Sequence, residues 1–306
     1  MSDDQDLPVA ATAQAYEEII RNFVPWAEAE ENIRTAIVIG SRARKLHPAD
    51  EWADLDLVIL ARDPGPYLQD AQWVERFGEP WITFVEPTAG GPGMERRVLY
   101  SGGLDVDFAF FPMAGLEQAA QKTLPPEWNQ AFGRGTRVLI DKDKFLERLK
   151  PAFSEPAPPS PPAREQFLNV IHDFWYHAVW CAKHLRRGEL WWGKSACDAH
   201  MKGLLRQMLE WHVRATKGPG HDTWLRGRFL EEWADPRAVN NLHQTFAHYD
   251  EEDTWRALFA TMDLFRWVAR ETAEKLGYPD SAADDKPITV YVKSLYEERE
   301  PRGKTA

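Results

Sequence analysis

The chain has 306 residues, 43% hydrophobic and 28% charged, with a formal net charge of −11. That length suits about two domains with buried cores, and the composition is that of an ordinary globular protein. The negative balance argues against a nucleic-acid partner, because phosphates are met by clustered Lys and Arg.

No run approaches the ~20 apolar residues of a membrane span, and the acidic start MSDDQDLPVA carries no apolar leader. No membrane partner and a cytoplasmic location are therefore expected. Cys181 and Cys197 lack CxxC spacing, so neither a disulfide framework nor a zinc site is implied.

In chain order, residues 13–23 predict an amphipathic helix whose Tyr16, Ile19, Ile20 and Phe23 share one face. The stretch IVIGSRARKLHPADEWADLDLVIL, residues 37–60, then reads as two strands. The first ends in Gly40-Ser41; the second carries Asp54 and Asp56 on one face, with Leu55, Leu57 and Ile59 on the other. Asp is a poor strand residue, and two carboxylates on one face repel unless a cation lies between them. The spacing asks for a divalent metal. Gly40 permits a sharp turn, Ser41 offers a hydroxyl, and Arg42 has a fork suited to phosphate oxygens. Together these residues describe a nucleotide triphosphate site. A third carboxylate should come from LDVDFAFFP, residues 104–112, where Asp105 and Asp107 alternate in a β-prone run.

Between these motifs, residues 67–77 predict a helix, and strands are expected near 81–86 and 97–100. The cluster Ala89-Gly90-Gly91-Pro92-Gly93 lacks the helix and Lys of a phosphate loop and reads as a hairpin connection. PAPPSPPA, within residues 151–163, predicts a stiff linker. Beyond it the periodicity is helical, with stripes through Phe167, Phe174 and Leu185, through Met201, Leu205 and Met208, and through Trp255, Phe265 and Val268. These stripes predict a bundle core. The acids Asp250-Glu251-Glu252-Asp253 suit a helix N-terminus. No two of the nine histidines stand at a metal-ligand spacing with a supporting acid, and His172, His177 and His184 read as ordinary helix residues. The tail 297–306 is expected to fray.

The Gly-Ser, Asp-x-Asp and distant strand carboxylate resemble the signature of the nucleotidyltransferase superfamily that includes DNA polymerase beta. More narrowly, the chain resembles the aminoglycoside 6-adenylyltransferase, or streptomycin adenylyltransferase, family. The likeness lies in Gly40-Ser41-Arg42 with Asp50-Glu51-Trp52-Ala53-Asp54-Leu55-Asp56, in Val138-Leu139-Ile140-Asp141-Lys142-Asp143, in Met208-Leu209-Glu210-Trp211-His212, in Leu276-Gly277-Tyr278-Pro279 and in Asp284-Asp285-Lys286. It implies an α+β fold: a polymerase-beta-like nucleotidyltransferase domain with a mixed sheet (1–150), a proline-rich linker (151–163) and a helical acceptor-binding domain (164–306), the active site lying in the cleft between domains. It also selects Asp107 over Asp105, because the family's third carboxylate is followed by an apolar run and a proline.

The implied reaction is transfer of AMP from ATP to a hydroxyl of a streptomycin-like antibiotic, giving resistance and releasing pyrophosphate. Two Mg²⁺ ions would be held by Asp54, Asp56 and Asp107. Another hydroxyl compound, a protein, or a non-catalytic nucleotide-binding module remain as alternatives. In the stretch from Trp191 to Lys202, Lys194, Asp198 and Lys202 stand four apart. Periodicity alone reads them as an exposed salt-bridged helix face. The resemblance instead implies Asp198 as general base and Lys202, with Lys194, on the nucleotide. A guanidinium-bearing acceptor would be met by Asp173, Asp198 and Glu210 among Trp175, Trp191, Trp192 and Trp211. The partners expected are thus ATP and a small cationic acceptor, bound by a monomer.

Overall fold

The computed structural model describes residues 13–88, 93–114, 133–149, 159–278 and 285–299. The chain divides into two compact units, Met1–Ala157 and Pro158–Ala306. Residues 89–92 of the glycine cluster, most of the expected linker and the end of the tail lie outside the described residues.

In the first unit, helix α1 (Ala13–Ala29) precedes β1 (Ile33–Ile39), β2 (Leu55–Ala61), α2 (Gly65–Gln69), β3 (Pro80–Pro87), β4 (Met94–Tyr100), β5 (Leu104–Pro112), β6 (Arg137–Asp141) and α3 (Phe145–Leu149). The sheet has the order β3-β4-β5-β2-β1-β6. It is mixed: β2 and β5 run parallel, while the other neighbours are antiparallel. Alternation divides its two faces. On one, Leu55, Leu57, Ile59, Phe108 and Phe110 pack with Tyr16, Ile19, Ile20 and Phe23 of α1. On the other, Ile37, Val58, Leu60 and Phe111 pack with Phe145 of α3. Asp56 and Asp107 share the parity of this second face.

The helix expected over 67–77 is instead α2 followed by a separate 3₁₀ turn at Gln72–Arg76. Asp70 breaks it: its backbone is extended, and its side chain accepts from Gln72 N at 3.0 Å, the local bonding by which Asp competes with helix. Strands β3 and β4 pair antiparallel down to Pro87↔Met94, as a hairpin requires.

The second unit contains α4 (Arg164–Arg186), α5 (Leu190–Ser195), a π-helical turn (Ala196–Met201), α6 (Lys202–Lys217), α7 (Leu230–Trp233), α8 (Pro236–Thr245), α9 (Glu251–Leu276) and α10 (Lys286–Glu297). The predicted stripes form one core, in which Phe174 of α4 stacks on Phe265 of α9 at 3.6 Å between centroids. Asp250 caps α9, accepting from Asp253 N at 2.9 Å. Among the described residues no helix is long and apolar enough to cross a membrane.

Candidate functional site

In-register parallel pairing places Asp56 of β2 directly beside Asp107 of β5. Asp54 stands one residue before β2 begins. Each of Asp54, Asp56 and Asp107 offers an oxygen, and these oxygens all lie within 4.8 Å of one another. Asp105 is turned to a different task, accepting from the Tyr16 hydroxyl at 3.0 Å. Burial, reinforced by this carboxylate, pushes the Tyr16 phenol up to about 12.

Ile39, the last residue of β1, pairs with Asp56, so the Gly40-Ser41 turn leaves the sheet beside the acids. Gly40 has φ +71°, and a Cβ there would overlap the Asp56 carboxylate. Glycine thus allows the backbone and the acid to occupy the same corner. Ser41 Oγ is buried without a hydrogen-bond partner among the described residues. Three hard oxygen donors beside a buried hydroxyl that is unsatisfied among the described residues suit a Mg²⁺-class cation carrying phosphate.

Arg42 corrects an expectation. Its guanidinium donates to Asp54 O at 2.9 Å and Ala53 O at 2.5 Å and lies 3.6 Å from the Tyr16 ring centroid. It therefore shapes the segment entering β2 instead of presenting its fork to a phosphate. A residue that sequence reasoning missed is Arg97 on β4, which faces Asp107 and donates to both its oxygens. Glu95 lies two residues away on the same strand face. Burial, with the Asp107 charge adding to it, pushes its carboxyl up to about 7. Its alternation with Arg97 was visible in the sequence; the partner strand was not.

In the second unit, Lys194 donates to Asp198 Oδ2 and, at 2.6 Å, to the Ala247 carbonyl. Asp198 Oδ1 is buried without a hydrogen-bond partner among the described residues. These side chains are largely covered, so the exposed-face reading fails. Lys202 donates to Thr261 Oγ1 at 2.8 Å and to Cys197 O at 3.2 Å, with Phe246 facing its ammonium. Both lysines bond within the unit and hold the Asp198 turn against its neighbours. Glu210 is paired with Arg206, and Asp173 accepts from histidine rings, so neither presents a free carboxylate. Of the expected aromatic faces, Trp175 belongs to the core and Trp211 packs on Phe167, whereas Trp191 and Trp192 are exposed. Trp191 meets Tyr249, also exposed, at 6.3 Å.

A mixed sheet with Gly-Ser closing one strand, two acids opening the next and a third acid on its parallel neighbour defines a nucleotidyltransferase. The family model "Streptomycin adenylyltransferase" matches residues 13–295, and the chain belongs to that family. It is 25% identical over 289 residues to an aminoglycoside 6-adenylyltransferase of Bacillus subtilis (strain 168), covering 92% of this chain and 97% of the relative. A protein of the same name from Campylobacter jejuni is 22% identical over 290 residues, covering 90% and 92%. A crystal structure of an aminoglycoside 6-adenyltransferase from Bacillus subtilis aligns at 19% identity with a TM-score of 0.42, covering 92% of this chain and 97% of that one.

Proposed function

We propose that this enzyme transfers AMP from ATP to a hydroxyl of a streptomycin-like aminoglycoside, releasing pyrophosphate and conferring resistance. One observation carries the reading: the convergence of Asp54, Asp56 and Asp107 beside Gly40-Ser41 in a chain of this family. The three carboxylates would hold Mg²⁺, which when bound neutralises charge on the triphosphate and the departing pyrophosphate. The Ser41 hydroxyl, without a hydrogen-bond partner among the described residues, supplies a donor for a phosphate oxygen.

The acceptor oxygen attacks the α-phosphorus while the bond to the bridging β-phosphate oxygen breaks. The hydroxyl proton passes to Asp198. Supporting that role, Asp198 keeps one oxygen without a donor among the described residues while Lys194 orients the other. The exposed rings of Trp191 and Tyr249 lie near this turn, since Lys194 also bonds Ala247, and offer faces on which a guanidinium can stack.

The test is pyrophosphate release from ATP and Mg²⁺ across a panel of aminoglycosides. Release with streptomycin, abolished in Asp54→Asn and Asp56→Asn proteins that retain their fold, supports the proposal. Release with another hydroxyl compound moves the substrate but keeps the chemistry. Tight nucleotide binding with silence toward every acceptor favours a non-catalytic module.

A further inference from the structure

The second unit holds another cluster of metal-ligating side chains. Asp173 and His177 stand one turn apart on α4, hence on the same face. His200 comes from the π-helical turn that precedes α6. His177 Nδ1 lies 2.6 Å and His200 Nε2 2.9 Å from the same oxygen, Asp173 Oδ1. The two imidazole rings are 4.0 Å apart between centroids, and the three ligand atoms fall within 4.8 Å of one another.

We infer that Asp173, His177 and His200 form a binding site for an imidazole-preferring divalent transition metal of the Zn²⁺ class. Two nitrogens and one carboxylate oxygen are a donor set such ions favour over Mg²⁺, which prefers oxygen. Bonds of about 2.0–2.2 Å to nitrogen and oxygen place tetrahedral ligand atoms roughly 3.3–3.5 Å apart. The present spacings are those of hydrogen bonds, so His200 need retreat from Asp173 by about half an ångström and His177 by about 0.8 Å to reach that geometry. The proton that each ring nitrogen shares with Asp173 then moves to the ring's other nitrogen, which leaves a lone pair facing the ion. The side chains are 39%, 26% and 44% exposed, in chain order, so an ion reaches them from solvent and a water completes the fourth position.

Such an ion would join α4 to the turn bearing Asp198, two residues before His200. None of its ligands belongs to the Asp54, Asp56 and Asp107 set, and none is Asp198 itself, so metal binding here is measured apart from turnover.

Untagged full-length protein should be titrated with Zn²⁺ by calorimetry, and with Co²⁺ by its visible absorption, in millimolar Mg²⁺ to occupy the all-carboxylate set. One equivalent binding at micromolar concentration is expected. His200→Ala and His177→Ala should each weaken it by more than about 100-fold, since losing even an outer partner of a ligand costs 10–100-fold. Asp54→Asn should leave it unchanged. Zn²⁺ should raise the melting temperature of the parent and of Asp54→Asn, but not of His200→Ala, whose exposed position spares the fold. Absence of binding tighter than millimolar in the parent overturns the inference. Equal binding by His200→Ala overturns it as well, whatever aminoglycoside activity the enzyme has.

Discussion

The Arg97 guanidinium grips both oxygens of Asp107, with Nε 2.9 Å from Oδ1 and Nη2 2.5 Å from Oδ2. Asp107 is only 8% exposed, and cross-strand pairing sets Arg97 directly opposite it. One fixed cation therefore offsets part of the charge of three converging carboxylates. Arg97→Met should tighten Mn²⁺ binding by the nucleotide-free protein, roughly 3- to 10-fold, because a unit charge at contact distance is worth about 1 kcal/mol in water-like surroundings. The same variant should melt lower in EDTA, its acids having lost their counter-charge. Free Mn²⁺ followed by electron paramagnetic resonance measures the first effect; weaker binding by the variant would show that Arg97 organises the acids more than it opposes the ion.

Gly40 sits at φ +71° against the Asp56 carboxylate. Gly40→Ala should destabilise the first unit by about 1–3 kcal/mol through backbone strain, and should cost more in divalent-dependent ATP binding than in stability, because the new methyl displaces Asp56. Urea unfolding and nucleotide titration with and without Mg²⁺ separate the two effects. An alanine variant with parental ATP affinity would contradict the placement of Asp56.

Glu95 has its carboxyl pushed up to about 7 from an ordinary 4.5. Below about 4.5 both folded and unfolded chains hold the proton. Between 4.5 and 7 the folded chain keeps a proton that the unfolded chain has released, so this residue lowers stability as pH rises through that window. Glu95→Gln removes the slope. In EDTA, the excess of its melting temperature over the parent's should widen from pH 5 to pH 8 by about 2–4 °C for each kcal/mol involved. A constant difference across that range would refute the assignment.

Asp198→Asn should lower turnover with streptomycin by ~10²–10⁴ while leaving ATP affinity within about twofold, since it removes a proton acceptor and no nucleotide contact. Steady-state kinetics with separate ATP titration decide it. Parental turnover would reduce Asp198 to a partner of Lys194.

The acids were legible because a strand alternates its faces: Asp54-Leu55-Asp56 and Asp105-Val106-Asp107 announce polar edges on apolar strands whatever they pair with. The helical stripes from Phe167 onward were legible for the same reason, periodicity being local. The end of α2 at Asp70 was less so, since Asp can either cap a helix or break it, and only the surrounding packing selects one. Arg42 was read by its chemistry, a phosphate fork, whereas the structure sets it against the carbonyls of Ala53 and Asp54. A guanidinium serves either purpose, and the choice depends on how the connection between β1 and β2 folds back.

By itself the sequence determined the donor types, their faces and the change from sheet to helix, because these follow from composition and short-range period. The tertiary structure alone decided which distant residues share a corner. Parallel register puts Asp56 beside Asp107, antiparallel register brings Arg97 to Asp107, and the approach of α4 to a π-helical turn gathers Asp173, His177 and His200. Such pairings depend on strand order and helix approach, which are properties of the whole packed core, and no local spacing encodes them.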